Sequence, residues 1–169
     1  MIPLGDLNRM DRDAFVAALR GVFEHSPWVA ERSAADRPFP SIGALHAAMV
    51  AAMERALVSE QLTLLREHPE LAGKAAIRGE LSADSTREQD AAGLGQCSPS
   101  ELARLTDLNR RYNAKFGFPF ILAVRDHDRN GILREFARRV EQDRPTEFAE
   151  ALRQVAMIAR FRLEALIDR

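Results

Sequence analysis

Only one stretch of this chain, Phe118-Pro119-Phe120-Ile121-Leu122-Ala123-Val124, has the unbroken apolar character of a buried strand, and no second run offers to pair with it. A lone strand is not viable, because its amides and carbonyls need partners once they leave water. The run is therefore read as a buried extended connector or part of a helix. The rest of the chain must build its core from helices.

The apolar spacing and the capping residues supply those helices. Asp11 precedes Phe15, Leu19 and Val22-Phe23, predicting a capped first helix that ends near Gly21 to Glu24. Ser26-Pro27-Trp28-Val29 predicts a short helix with proline in its first turn. Arg37-Pro38-Phe39-Pro40 interrupts the chain, and Ser41 restarts it. Ile42, Leu45, Met49, Met53 and Leu57 then predict a long helix to about Val58. Ser59 opens a shorter one carrying Leu62 and Leu65, and Pro69 discourages its continuation through His68. Lys74 to Ala83 is mixed and expected to be irregular.

Ser85-x-x-Glu88 and Ser98-x-x-Glu101 both match the capping box, in which serine and glutamate satisfy each other's backbone donors. Pro99 strengthens the second, which opens a helix through Leu102, Leu105, Leu108 and Tyr112 to a stop at Gly117. Asp126 to Gly131 reads as a turn, and Ile132, Phe136 and Val140 as another helix. Pro145 opens the last helix, with Phe148, Leu152, Val155, Ile158, Phe161-Arg162 and Leu166 on or near one face. The expectation is all-α: one domain over residues 1–169, a bundle of six to eight helices around one buried connector.

Charge narrows the function. Twenty-four basic residues against twenty-five acidic ones leave a net charge of -1, with no block of five like charges. That balance predicts neither nucleic-acid nor anionic-membrane binding. No run approaches the roughly 18 uncharged apolar residues of a membrane span. The single cysteine, Cys97, excludes an internal disulfide and a cysteine-rich zinc site. The amino terminus lacks the basic flank and apolar run of a signal peptide, so the cytoplasm is the expected location.

Several motifs fail on inspection. Asp126-x-Asp128-x-Asn130-Gly131 begins like a calcium loop, but Ala137 stands where the bidentate glutamate belongs. A tight surface turn is the better reading. Gly93-Leu94-Gly95 lacks the third glycine and preceding strand of a dinucleotide loop, and reads as a flexible link. The four histidines have no metal-ligand spacing, and no metal is expected.

Three stretches remain that could wall a small-molecule pocket: His68-Pro69-Glu70-Leu71-Ala72-Gly73-Lys74, Ser85-Thr86-Arg87-Glu88-Gln89, and Phe116-Gly117-Phe118-Pro119-Phe120-Ile121. Arg162 could add a cation from the last helix. Each also has an ordinary explanation: His68 as a helix terminus, Glu88 as a capping-box residue, Arg162 as a side chain snorkelling from an apolar face.

Those stretches, the first as far as Gly73 and the second with Ala91 and Gly93-Leu94, together with Phe23-Glu24-His25-Ser26-Pro27-Trp28-Val29, Arg37-Pro38-Phe39 and Ile158-Ala159-Arg160-Phe161-Arg162-Leu163, resemble the 2-oxo-4-hydroxy-4-carboxy-5-ureidoimidazoline (OHCU) decarboxylase family over nearly the full length. The resemblance implies an all-helical, cofactor-independent carboxy-lyase, commonly a homodimer, that yields (S)-allantoin in the last step of urate degradation. It implies His68, Glu88 and Arg162 as catalytic residues, Arg160 being the competing arginine. Pro69, Ser85, Thr86, Arg87, Gln89, Phe118, Phe120, Ile121, Leu122, Ala123 and Val124 would complete the substrate site. Imidazole is a suitable proton donor near neutrality, a carboxylate can orient it, and a guanidinium fork suits a carboxylate or ring carbonyl. Glu88 is expected to face His68 instead of closing a box on Ser85. Two alternatives stay open: a non-catalytic helical interaction module, and a decarboxylase of a related ureide.

Overall fold

The computed structural model describes residues 1–73 and 78–168, and among these the chain is all-α. Nine helices are described: α1 (Leu4–Arg9), α2 (Arg12–Leu19), α3 (Trp28–Ser33), α4 (Ile42–Glu54), α5 (Val58–Arg66), α6 (Ala83–Ala91), α7 (Pro99–Phe116), α8 (Arg129–Arg139) and α9 (Arg144–Leu166). The one sheet among the described residues is a parallel pair, β1 (Ile2–Pro3) with β2 (Ile167–Asp168). Such short strands lie below what apolar alternation can signal. The chain divides into two compact units, Met1–Glu67 with Ala156–Arg169, and His68–Val155.

In the first unit, Asp11 caps α2 by accepting the Ala14 N–H (2.8 Å). The helix stops at Leu19, short of the expected end; Val22 and Phe23 are buried in the turn that follows. α3 starts at Trp28, with Pro27 in a helical conformation just before it. Arg37-Pro38-Phe39 breaks the chain as expected, with a cis Arg37–Pro38 bond, and Asn8 fixes Phe39 through both its N–H (2.8 Å) and its carbonyl (2.9 Å).

The long helix expected to reach Val58 ends at Glu54, and α5 begins at Val58, ahead of Ser59. Glu60 accounts for the new start. Its carboxylate accepts the Leu57 N–H (2.9 Å), so the helix is fixed ahead of Ser59 by a residue in its first turn. Gln61 reaches back to the Met53 carbonyl (3.0 Å), satisfying the end of α4. Phe15, Leu45, Met49, Leu64 and Leu163 form this unit's buried core.

In the second unit, Ser98 and Glu101 close the expected capping box: Ser98 N–H donates to Glu101 Oε2 (2.8 Å) and Glu101 N–H to Ser98 Oγ (3.2 Å). The other box does not form. α6 starts at Ala83 and is capped by Ser82, whose hydroxyl accepts the Ser85 N–H (3.2 Å). Ser85 is therefore inside the helix and has no terminus to cap. The irregular stretch expected from Lys74 to Ala83 gives way at Ala83; Lys74 and residues 75–77 lie outside the described residues.

The Gly93 link is an ordered 3-10 turn at Leu94–Gln96, entered through Gly93 at φ 72°. The failed calcium loop has a structural use: Asp128 caps α8 by accepting the Gly131 N–H (2.6 Å). Phe118 to Val124 is buried and outside any α-helix, reaching Ala123 in an extended conformation and closing with a 3-10 turn at Val124–Asp126. It is packed by aromatic rings. Phe120 stacks on Phe136 at 3.9 Å between centroids, and Tyr112 meets Phe120 edge-on at 5.4 Å.

Candidate active site

In the second unit, the His68 segment and α6 are joined by Gln89. Ala72 N–H donates to Gln89 Oε1 (3.0 Å), while Gln89 Nε2 donates to the Glu70 carbonyl (3.2 Å). Asn109 of α7 donates to the Leu71 carbonyl (3.0 Å), and Asn113 to the Glu70 carboxylate. These bonds hold Ala72 in the left-handed region, at φ 49°, a conformation an alanine adopts only when its surroundings over-determine it. Gly73 is needed here as well. A Cβ on it would lie 2.6 Å from Glu70 Cβ. The backbone after His68-Pro69 is thus fixed at three consecutive residues.

His68 is buried and Pro69 half-buried. On α6, Ser85 and Gln89 are buried one turn apart with Glu88 half-buried beside them, while Thr86 and Arg87 are exposed. Arg87 forms an ion pair with Asp84. Thr86 and Gln89 also line a cleft of about 300 Å³ together with Ala72, Leu81, Asp90 and Cys97. Burial pushes the Cys97 thiol pKa up. α6 packs against the 3-10 turn at Val124–Asp126, where the apolar segment ends. Phe118, Phe120, Ile121, Leu122, Ala123 and Val124 are all buried.

Arg162 belongs to the first unit. It is buried, donating through Nη2 to Glu24 Oε2 (2.9 Å) and through Nη1 to the Gly21 carbonyl (3.0 Å). It does not snorkel. Glu24 is presented from the turn after α2, next to His25 at φ 54°. Arg160 instead pairs with Glu164 (2.6 Å) at a part-exposed position.

The sequence reading missed a buried polar cluster. Arg139 is fully buried, and its Nε donates to Glu147 Oε1 (2.7 Å) and its Nη1 to the Ile121 carbonyl (2.7 Å). Its Nη2 and the Tyr112 hydroxyl converge on the same Glu147 oxygen. Burial, then donation to Glu147, drives the Tyr112 phenol pKa far up. Gln154 Oε1 accepts the Ala123 N–H (2.9 Å). The signal was present: Arg139 follows Phe136 by three positions, on the apolar face of α8.

Among the described residues no three of His, Cys, Asp and Glu gather as metal ligands would. The OHCU decarboxylase profile matches residues 8–164. The chain is 43% identical over 162 residues to 2-oxo-4-hydroxy-4-carboxy-5-ureidoimidazoline decarboxylase of Haloferax volcanii, covering 96% of this chain and 94% of that one. It is also 43% identical over 167 residues to the uric acid degradation bifunctional protein PucL of Bacillus subtilis, covering 99% of this chain but only 33% of PucL. A crystal structure of (S)-allantoin synthase superposes with a TM-score of 0.80 at 32% identity, over 99% of this chain and 55% of that one. A profile spanning nearly the whole chain, and a relative matched nearly end to end, establish that this chain belongs to the OHCU decarboxylase family.

Proposed function

We propose that the chain carries out the family's reaction, decarboxylation of OHCU to (S)-allantoin in urate degradation, with His68 as proton donor and Glu88 as the carboxylate that orients it. The reaction places this chain among the carboxy-lyases. The carbon that loses CO2 adjoins a C=N bond, so the electron pair released with CO2 passes into that bond. An enaminol-like intermediate results, and one proton delivered to one face of its ring carbon sets the S configuration. The enzyme's task is to hold the carboxylate out of the ring plane and to supply that proton from a fixed position. Ser85 and Gln89 lie on the same side of α6 as Glu88, and the Phe118–Val124 segment is the apolar wall that keeps water out. Pro69 fixes the backbone direction after His68. Thr86 and Arg87 complete the α6 segment that the substrate meets.

One observation carries this reading: Gln89 ties α6 to the backbone that follows His68, and α6 packs on the end of the apolar segment. The three stretches singled out in the sequence therefore belong to one framework within the second unit. Arg162 is assigned the role of anion anchor from its place in the family motif. Its test is separate.

OHCU is generated in situ from urate with an oxidase and a hydrolase, and optically active allantoin is followed by circular dichroism. The chain is expected to accelerate its appearance. His68→Ala should lose on the order of a hundredfold to ten-thousandfold of that rate. Wild-type rates equal to the uncatalysed background, or full activity in His68→Ala, would overturn the reading. Arg162→Lys, scored for KM separately from kcat, tests the anchor.

A further inference from the structure

Two buried side chains of the second unit hold the apolar segment from one side. Arg139 donates to the Ile121 carbonyl (2.7 Å), and Gln154 accepts the Ala123 N–H (2.9 Å). Neither is loosely placed. The Arg139 guanidinium lies over the Phe120 ring at 4.5 Å and is anchored on Glu147; Gln154 Nε2 donates to Glu150 Oε1 (2.7 Å). In an extended backbone, the peptide groups of residues i and i+2 point to one side and those of i+1 to the other. Engaging Ile121 and Ala123 from behind therefore turns the N–H and C=O of Leu122 the opposite way.

From this geometry we infer that Arg139 and Gln154 are positioning residues for the decarboxylation, a two-point clamp that sets the register of the Phe118–Val124 backbone. The clamp presents the Leu122 N–H and C=O as a donor–acceptor pair, the pattern that complements a cyclic or ureido amide. The inference rests on the decarboxylase reading above. A one-residue slip of the segment would turn Leu122 inward and present Ile121 and Ala123 instead. Two separate contacts on alternate residues oppose that slip, which a single contact would not prevent.

The test uses the full chain and two independent readouts. Gln154→Met keeps side-chain volume and removes the acceptor for Ala123. Exchanging the pair as Glu150→Gln with Gln154→Glu keeps an acceptor at Ala123 and reverses the bond to position 150. Arg139→Lys keeps the charge facing Glu147 and removes the fork. In Gln154→Met, amide hydrogen exchange across residues 120–124 should accelerate, and kcat/KM should fall on the order of tenfold or more, chiefly through KM. The exchanged pair should recover most of both losses.

Unchanged exchange in Gln154→Met would overturn the clamp, and so would unchanged kcat/KM. An exchanged pair as impaired as Gln154→Met would also overturn it. An inactive wild type would sink the decarboxylase reading itself, while the exchange data would still decide whether the clamp exists. If Arg139→Lys does not fold, the Gln154 variants decide alone.

Discussion

Arg139 and Glu147 are the most consequential charged residues that sequence inspection passes over. Both are fully buried, and three donors converge on one Glu147 oxygen while Oε2 has no hydrogen-bond partner. Removing one partner of such a pair leaves an uncompensated charge in the core. Glu147→Leu alone is expected to cost about 3–5 kcal/mol. Arg139→Met with Glu147→Leu should recover most of that stability, because packed apolar side chains replace both charges. Urea denaturation of the two single variants and the double variant measures the coupling. A double variant no more stable than either single one would contradict this account. If the clamp exists, the recovered double variant should still be catalytically impaired, since the Ile121 carbonyl has lost its donor.

Capping residues decide where most helices begin, and three of the caps, Glu60, Asp128 and Asp143, are acidic side chains that the sequence reading did not use as caps. Asp143 opens α9 by accepting the Thr146 N–H (2.9 Å) and hydroxyl (2.8 Å). The Thr146 backbone bond is the largest cause holding its pKa below the usual aspartate range. A carboxylate whose folded pKa is depressed contributes stability above its unfolded pKa and loses it as pH falls through the folded value. The unfolded reference is 3.8, so the loss belongs below about pH 4. Asp143→Asn should melt at a lower temperature than wild type at neutral pH. The gap should narrow as pH drops below about 4. Thermal melts across that range check it, and a gap constant down to acid pH would rule out the capping carboxylate as the cause. Ser98→Ala, which opens the box on α7, should cost about 1 kcal/mol by chemical denaturation.

The whole chain builds its first unit from both ends: β1 and β2 pair there, and α9 supplies its second half to that unit after giving its first half to the other. Among the described residues no single helix is long and apolar enough to cross a membrane; α4 and α5 meet that test only together, across a 113° bend. We propose a homodimer, on the resemblance to the family. Light scattering after size exclusion should give twice the mass of one chain at micromolar concentration; a monomer mass there would refute it.

Much of the fold was legible because it rests on local chemistry. Asp11, the Ser98–Glu101 box, Pro99 and Gly117 act within a few residues of themselves, and each does in the structure what its neighbours in sequence imply. The all-α class followed from a lone apolar run with nothing to pair with, and that run is the buried extended connector. The family was legible from ordered motifs around His68, Glu88, Phe118 and Arg162. The helix start at Ala83 was missed where Ser82 outcompeted Ser85, a contest of equals at the level of residue type, and the start at Val58 where Glu60 held the Leu57 N–H ahead of Ser59.

Contacts over long sequence separations were beyond reach. Gln89 bonds residues 17 and 19 positions away, Gln154 bonds Ala123 across 31, and Arg162 bonds Glu24 across 138. A buried polar side chain is tolerated only with its partner in place, and the partner is chosen by folding the chain back on itself. Residue order names the groups that need partners. Three-dimensional packing supplies them, and with them the one conformation in which the backbone around the candidate site is fixed.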